Sequence, residues 1–253
     1  MTARRAWLAV TIALTAYTPR VHAATAVADS ASHASLLSRR DAVYAFGTAG
    51  AIAIAASNDR AWSVQASADR SRRAHDIATA SRHLGDPLSL APVLLATDAL
   101  ARLTGHERLG AASERVALAV AGAGALKILL GQVIGRSRPD ESPGTPDHYA
   151  PFSGHDAMPS GHTAVAFALA ASVSAEAPAR WVPFVLYPAA GLTAWSRVHD
   201  REHWTSDVVA GAAMGAWVGH TLDRIAQRRL PHGVLPIVWP GARGAVAGLR
   251  VSF

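Results

Sequence analysis

Apolar segments alternate along this chain with short connectors rich in Arg, Asp, Gly and Pro, and within the segments the apolar positions recur at helical spacing. The pattern predicts helices over about 41–57, 63–82, 87–104, 110–134, 161–176, 181–197 and 205–229. The small side chains that dominate the apolar half, mostly Ala, favour helices packed closely against one another. An all-α bundle of six to seven helices is therefore expected. The connector from Gly135 to Pro159 carries Pro139, Pro143, Pro146 and Pro151 and cannot be helical. A long loop in a compact domain is a place to look for chemistry.

Both ends break the helical pattern. Arg4 and Arg5, an apolar run from Ala6 to Tyr17, and Val21-His22-Ala23 read as an export signal over 1–23, followed by a polar stretch over 24–40. The helical domain then spans 41–230. In the tail, 231–253, Val234–Trp239 and the alternation of Leu249, Val251 and Phe253 flank a Pro240-Gly241 turn, which predicts a short β-hairpin covering the bundle. The charge-free runs Ala42–Ala56, Val182–Trp195 and Val208–Gly219 fall short of the ~20 residues that span a bilayer. They fit a buried bundle better, so the expectation is an exported protein of the periplasm or envelope, soluble or associated with the membrane. The cluster Arg60, Arg70, Arg72, Arg73 and Arg82 pulls the other way, as positive charge flanking a span does.

Composition removes several classes of chemistry. With no cysteine there is no disulfide scaffold, thiolate zinc site or cysteine nucleophile. The net charge of +6 comes from scattered arginines without sustained runs or aromatic interleaving, which argues against nucleic acid as a partner. Of the 24 basic residues only Lys127 is lysine.

Three clusters carry the chemical signal. Gly135-Arg136-Ser137-Arg138-Pro139 ends the helix that holds Lys127; Pro159-Ser160-Gly161-His162-Thr163 opens the next; Ser196-Arg197 is followed after five residues by His203 and after three more by Asp207. Each has a mundane reading alone: Ser160 as an N-cap, Arg138 as a solvated loop residue, His203 and Asp207 as a helical pair. Together, in order and spacing, they resemble the type 2 phosphatidic acid phosphatase and haloperoxidase superfamily over about 88–225. Its pattern is Lys…Arg-Pro, then Pro-Ser-Gly-His, then Ser-Arg-x5-His-x3-Asp. The one departure is the lysine, which in that family stands seven positions before the Arg of Arg-Pro; here that position is Gly131, and Lys127 lies one helical turn earlier. Positions four apart share a face, so a long ammonium side chain at 127 can reach where one at 131 would. The alternative is that Lys127 only snorkels at a helix end and Arg136 supplies the charge.

The resemblance implies a phosphate-ester hydrolase with His203 as nucleophile, Asp207 orienting it, and His162 as the proton donor to the leaving oxygen. The residue types agree with that chemistry. Arg138 and Arg197 offer bidentate donors to a phosphoryl group, Lys127 a point charge, and Ser160 and Gly161 a helix start whose free N–H groups favour an anion. The expected activity is phosphomonoester hydrolysis, on a lipid phosphate or a small ester, through phosphohistidine and with no metal or cofactor. His148, His155 and Asp156 lack metal-ligand spacing and read as rim residues shaping access. Two other readings stay open: a vanadate-dependent haloperoxidase using the same cradle, and a non-catalytic envelope protein whose site is vestigial.

Overall fold

The structure, a computed structural model, describes residues 39–142 and 144–229, together with the backbone of 234–241 and 244–251. The expected export signal and most of the polar stretch after it lie outside the described residues. Seven helices run in order: α1 (Arg39–Ala66), α2 (Arg72–Arg82), α3 (Pro87–Leu103), α4 (Glu107–Ile134), α5 (Gly161–Glu176), α6 (Val182–His199) and α7 (Thr205–Arg229), with a 3-10 turn at His83–Gly85 between α2 and α3. The all-α expectation is met, and five of the seven helices fall within a few residues of their expected bounds. Beyond α7 the backbone forms two antiparallel segments, Val234–Gly241 and Gly244–Val251. Their side chains lie outside the described residues, so a hairpin covering the bundle stays an expectation.

The first helix departs most. A break was expected over 58–62, between the first two helices, yet α1 continues through those residues to Ala66. Asp59 is 1% exposed and paired across the bundle with Arg136, so its polarity serves a tertiary contact rather than a turn. The break comes at 67–71, where the Ser71 side chain caps α2 by accepting from the Ala74 N–H. Similarly, the Asp86 carboxylate accepts from the Leu88 and Ser89 N–H groups, with Pro87 as the first residue of α3.

Helix α5 is the axis of the bundle, touching α4, α6, α7 and the 3-10 turn. Its closest partner is α7, and three glycines one turn apart explain the approach. A Cβ at Gly211, Gly215 or Gly219 would lie 2.5 Å from the Ser160 carbonyl oxygen, 2.1 Å from that of Ala164 and 2.8 Å from that of Ala168. Only glycine allows two helix backbones to meet so closely. Around α5, Val165 packs with Leu90, Val116 and Val120, and Ala164 and Ala168 pack with Ala123 and Val218. The N-terminus of α5 is thereby fixed against the start of α7 and the end of α4, the elements that carry the other two motifs.

The outer faces are apolar. Leu88 and Leu103 of α3 are each 85% exposed, and Phe46, Ile128, Leu129 and Phe184 are exposed on α1, α4 and α6. The apolar residues are thus not all spent on a buried core, as the short charge-free runs had suggested. Among the described residues α4 alone is long and apolar enough to cross a bilayer; α2 and α3, bent by 55° at their junction, pass the same test only as a pair.

Candidate active site

The three motifs meet at the N-terminus of α5. Lys127 resolves its own register: its Cγ, Cδ and Cε lie 3.4–3.5 Å from where a Gly161 Cβ would stand, so the stem runs along the backbone of the Pro-Ser-Gly-His segment. Its ammonium pairs with Asp156. Gly131, where the resembled pattern has lysine, is packed against Asp156, and a Cβ there would come within 3.3 Å of the Asp156 Cβ. A side chain at 131 would press on Asp156, which would have to give by a few tenths of an ångström. Glycine at 131 admits the acid, and the acid holds the displaced lysine.

Asp156 also accepts from Arg138, Nη2 to Oδ1 at 3.2 Å, while Arg138 Nη1 pairs with Glu202. Glu202 in turn lies 3.9 Å from Arg197 Nη2, and Asp200 lies 3.6 Å from Arg197 Nη1. Lys127, Arg138 and Arg197 thus form one chain of cations strung on Asp156 and Glu202. The links to Arg197 are longer than hydrogen bonds. Its Nε is buried without a partner among the described residues, an unmet donor in a residue only 6% exposed. Burial pushes the Arg197 pKa down, whereas at Arg138 the burial effect is outweighed by Asp156 and Glu202 and the pKa rises. Asp156 is half-buried, yet the hydrogen bonds and charges of Lys127 and Arg138 hold its carboxyl below the usual range.

His203 is buried and differs from expectation in one respect. Its Nδ1 sits 2.8 Å from the Ala157 carbonyl oxygen and 3.8 Å from Asp207 Oδ2. The backbone carbonyl therefore takes the Nδ1–H and sets the tautomer with the Nε2 lone pair free. Asp207 instead ties down the turn around His203: its Oδ2 accepts from the Trp204 N–H at 2.8 Å and its Oδ1 from Arg136 at 2.6 Å. His162 stands in the first turn of α5, with the Gly85 backbone hard against its own. Burial first, then the charges of Arg197 and His203, lower its pKa to about 4, which places these three side chains in one neighbourhood. Ser160 is fully buried at the N-cap position, where its Oγ accepts from Thr163 Oγ1 at 3.0 Å rather than capping the helix. Its own N–H donates to the Asp207 carbonyl oxygen at 3.0 Å.

Arg136 is the residue whose part was misjudged in the sequence. Considered only as a substitute cation, it is 1% exposed, and every N–H is satisfied: Nε and Nη2 on the Pro146 carbonyl, Nη2 on Asp59, and Nη1 on Ser206 and Asp207, all at 2.6–2.9 Å. Asp59 completes the cluster by accepting from the Ser206 N–H and Oγ. Of the connector residues expected at the rim, His148 and His155 fit: their rings meet edge to face, His148 contacts Ser137 and His155 contacts Glu141. Asp156 does not, since it lies among the cations. No group of metal-ligating side chains occurs among the described residues.

Residues 115–230 match the family model of the PAP2 superfamily. A lipid A 1-phosphatase of Rhizobium johnstonii is 37% identical over 128 residues, 47% of this chain and 50% of that protein. Another, of Porphyromonas gingivalis, is 44% identical over 66 residues, 25% of this chain and 15% of that protein. The chain thus spans half or less of the length of these relatives. Among solved structures, a transmembrane PAP2 type phosphatidylglycerolphosphate phosphatase of Bacillus subtilis superposes with a TM-score of 0.51 at 21% identity, covering 74% of this chain and 98% of that one, a likeness of fold.

Proposed function

We propose, from the match of residues 115–230 to the PAP2 superfamily, that the chain is a lipid phosphate phosphatase that hydrolyses a phosphomonoester through a phosphohistidine intermediate. The observation that carries this reading is the set of three cations, Lys127, Arg138 and Arg197, held around the α5 N-terminus beside two histidines, with an unmet donor on Arg197.

In this scheme the phosphoryl oxygens displace the carboxylates of Asp156 and Glu202 from the cations and take up the Arg197 Nε–H and the first N–H groups of α5, which lack intrahelical acceptors. His203, its Nδ1–H held by the Ala157 carbonyl, attacks phosphorus through Nε2. The P–O bond to the lipid breaks as His162 donates a proton to the departing oxygen. In the second step neutral His162 takes a proton from water, whose oxygen attacks the phosphohistidine and releases inorganic phosphate, restoring both histidines. A pKa near 4 leaves His162 neutral in the empty site. The arriving phosphate dianion supplies the negative charge that favours its protonated form. The scheme needs no metal, because the cradle already provides the charge a phosphoryl group requires.

A lipid substrate suits the outer surface. The exposed apolar faces of α3, α4 and α6 favour association with a bilayer, and Leu84 and Leu88 flank the Gly85 turn that backs His162. The relatives named for lipid A 1-phosphate and phosphatidylglycerolphosphate point the same way. The test is release of phosphate from a lipid phosphomonoester in mixed micelles with chelator present. Activity is expected to survive chelation, to vanish in His203→Ala, and to leave an acid-labile phosphoenzyme in wild type. Full activity in His203→Ala rejects the mechanism.

A further inference from the structure

Behind the cradle, between the C-terminal half of α1, Pro139 and Gly144, and the turn before α7, lies a cavity of about 620 Å³. Its wall on the catalytic side is made of Pro139 and Trp204, the residues that directly follow Arg138 and His203. Three arginines line it, Arg60, Arg70 and Arg201, and none of its lining residues is acidic. In the cradle every cation has a carboxylate beside it; here none of the three guanidiniums has an ion-pair partner among the described residues. A further observation points to a ligand. The Ser63 hydroxyl, which lines the cavity and belongs to a residue 7% exposed, has no hydrogen-bond partner among the described residues. Arg201, which also lines the cavity and stands two residues from His203, is held at φ 61°, in the left-handed region that a non-glycine residue enters at a cost.

Three arginines and a hydroxyl lining one cavity supply the donors that the oxygens of a tetrahedral oxyanion take up, and the volume accommodates a phosphorylated polar group larger than a bare ion. We infer that this cavity is a second phosphate-binding site. The phosphate comes either from a further phosphate on the headgroup of the substrate, a possibility that rests on the proposed phosphatase activity, or from a separate phosphate molecule.

Calorimetric titration of inorganic phosphate onto His203→Ala protein separates the two sites without turnover. Two sites per chain are expected. Arg60→Gln/Arg201→Gln should lose one of them or weaken it about tenfold or more, and Arg138→Gln/Arg197→Gln should lose the other. Arg70→Gln, a single change, gives the same weakening in smaller measure. Two sites of unchanged affinity in Arg60→Gln/Arg201→Gln, or a single site abolished by the cradle variant, overturn the inference. The source is read on the wild-type background from kcat/KM for phosphatidylglycerol phosphate, with two phosphates, relative to phosphatidic acid, with one. A fall in that ratio of about tenfold in Arg60→Gln/Arg201→Gln assigns the site to the substrate headgroup; an unchanged ratio with the binding lost assigns it to a separate phosphate. Absence of turnover on both lipids, with both phosphate sites intact, rejects the phosphatase reading and leaves the second site standing.

Discussion

Arg136 and Arg138 stand two residues apart at the end of α4, and their surroundings are opposites. Arg136 is enclosed by Asp59, Asp207, Ser206 and the Pro146 carbonyl, and it has no hydrogen-bond donor left over. Its burial would lower the pKa, but Asp207 and Asp59 raise it above the ordinary arginine value. Arg138 is half-buried and pairs with two carboxylates that are themselves 32% and 38% exposed, Asp156 and Glu202, so water and other anions reach its bonds. A closed guanidinium cluster fixes geometry, whereas an open one can exchange partners. The first joins α1 to the turn that bears His203; the second can give up its carboxylates to a phosphate without disturbing the fold.

The largest expected effect is therefore on the closed side and on stability. Arg136→Ala leaves Asp59 and Asp207 buried and unpaired, and removing one partner from such a cluster costs about 3–5 kcal/mol. Denaturant unfolding should show that loss. A change below about 1 kcal/mol would mean that the cluster does not hold α1 in place.

Next comes the open side, read in activity. Arg197→Ala removes the unmet Nε–H and should lower kcat/KM on a lipid phosphate by about 100- to 1,000-fold, as loss of a transition-state donor does, while the unfolding midpoint moves little. Equal losses of stability in Arg197→Ala and Arg136→Ala would erase the distinction between the two clusters.

This division explains what could be read from the sequence. Ser160, His162, Arg197, His203 and Asp207 announce themselves because their spacing is local and set by helix ends. Arg136 carries no such signal: its partner Asp59 lies 77 residues earlier, in a stretch, 58–62, that was expected to separate two helices. The tautomer of His203 was equally hidden, because the acceptor is the main-chain carbonyl of Ala157, a group every residue has. Asp156 was taken for a rim residue since its relation to Lys127 depends on the space at Gly131, visible only once α4 and the connector pack together.

A smaller effect is expected from His162, which borders the open cluster. Its pKa is about 4 in the fold and near 6.5 in an unfolded chain. Between those values the unfolded chain binds more protons, so stability rises with pH; the contribution is complete above pH 6.5 and is lost as pH falls toward 4. His162→Gln should flatten the acid side of the stability curve, and inorganic phosphate should protect wild type there by favouring the imidazolium. An identical acid slope in His162→Gln would assign the loss to other groups.

The smallest expected effect tests whether the open cluster exchanges partners. Asp156 acts in two opposed ways: it holds Lys127 in its shifted position, and it occupies the donors of Lys127 and Arg138 that a phosphate would use. Asp156→Asn keeps the shape of the side chain and removes the competing charge. Phosphate should then bind as tightly as before or more tightly, while kcat falls by less than about tenfold because Lys127 is less well aimed; bonds to partly exposed carboxylates are individually weak. Inhibition by inorganic phosphate and kcat on the same lipid measure the two parts separately. A collapse of activity as deep as that of Arg197→Ala would show that Asp156 cannot be exchanged, and the cradle would then resemble the closed cluster around Arg136. Gly131→Lys sharpens the point from the other side. It restores lysine at the position of the resembled pattern but drives a Cβ to 3.3 Å from that of Asp156. It should be better tolerated together with Asp156→Gly, which relieves that contact.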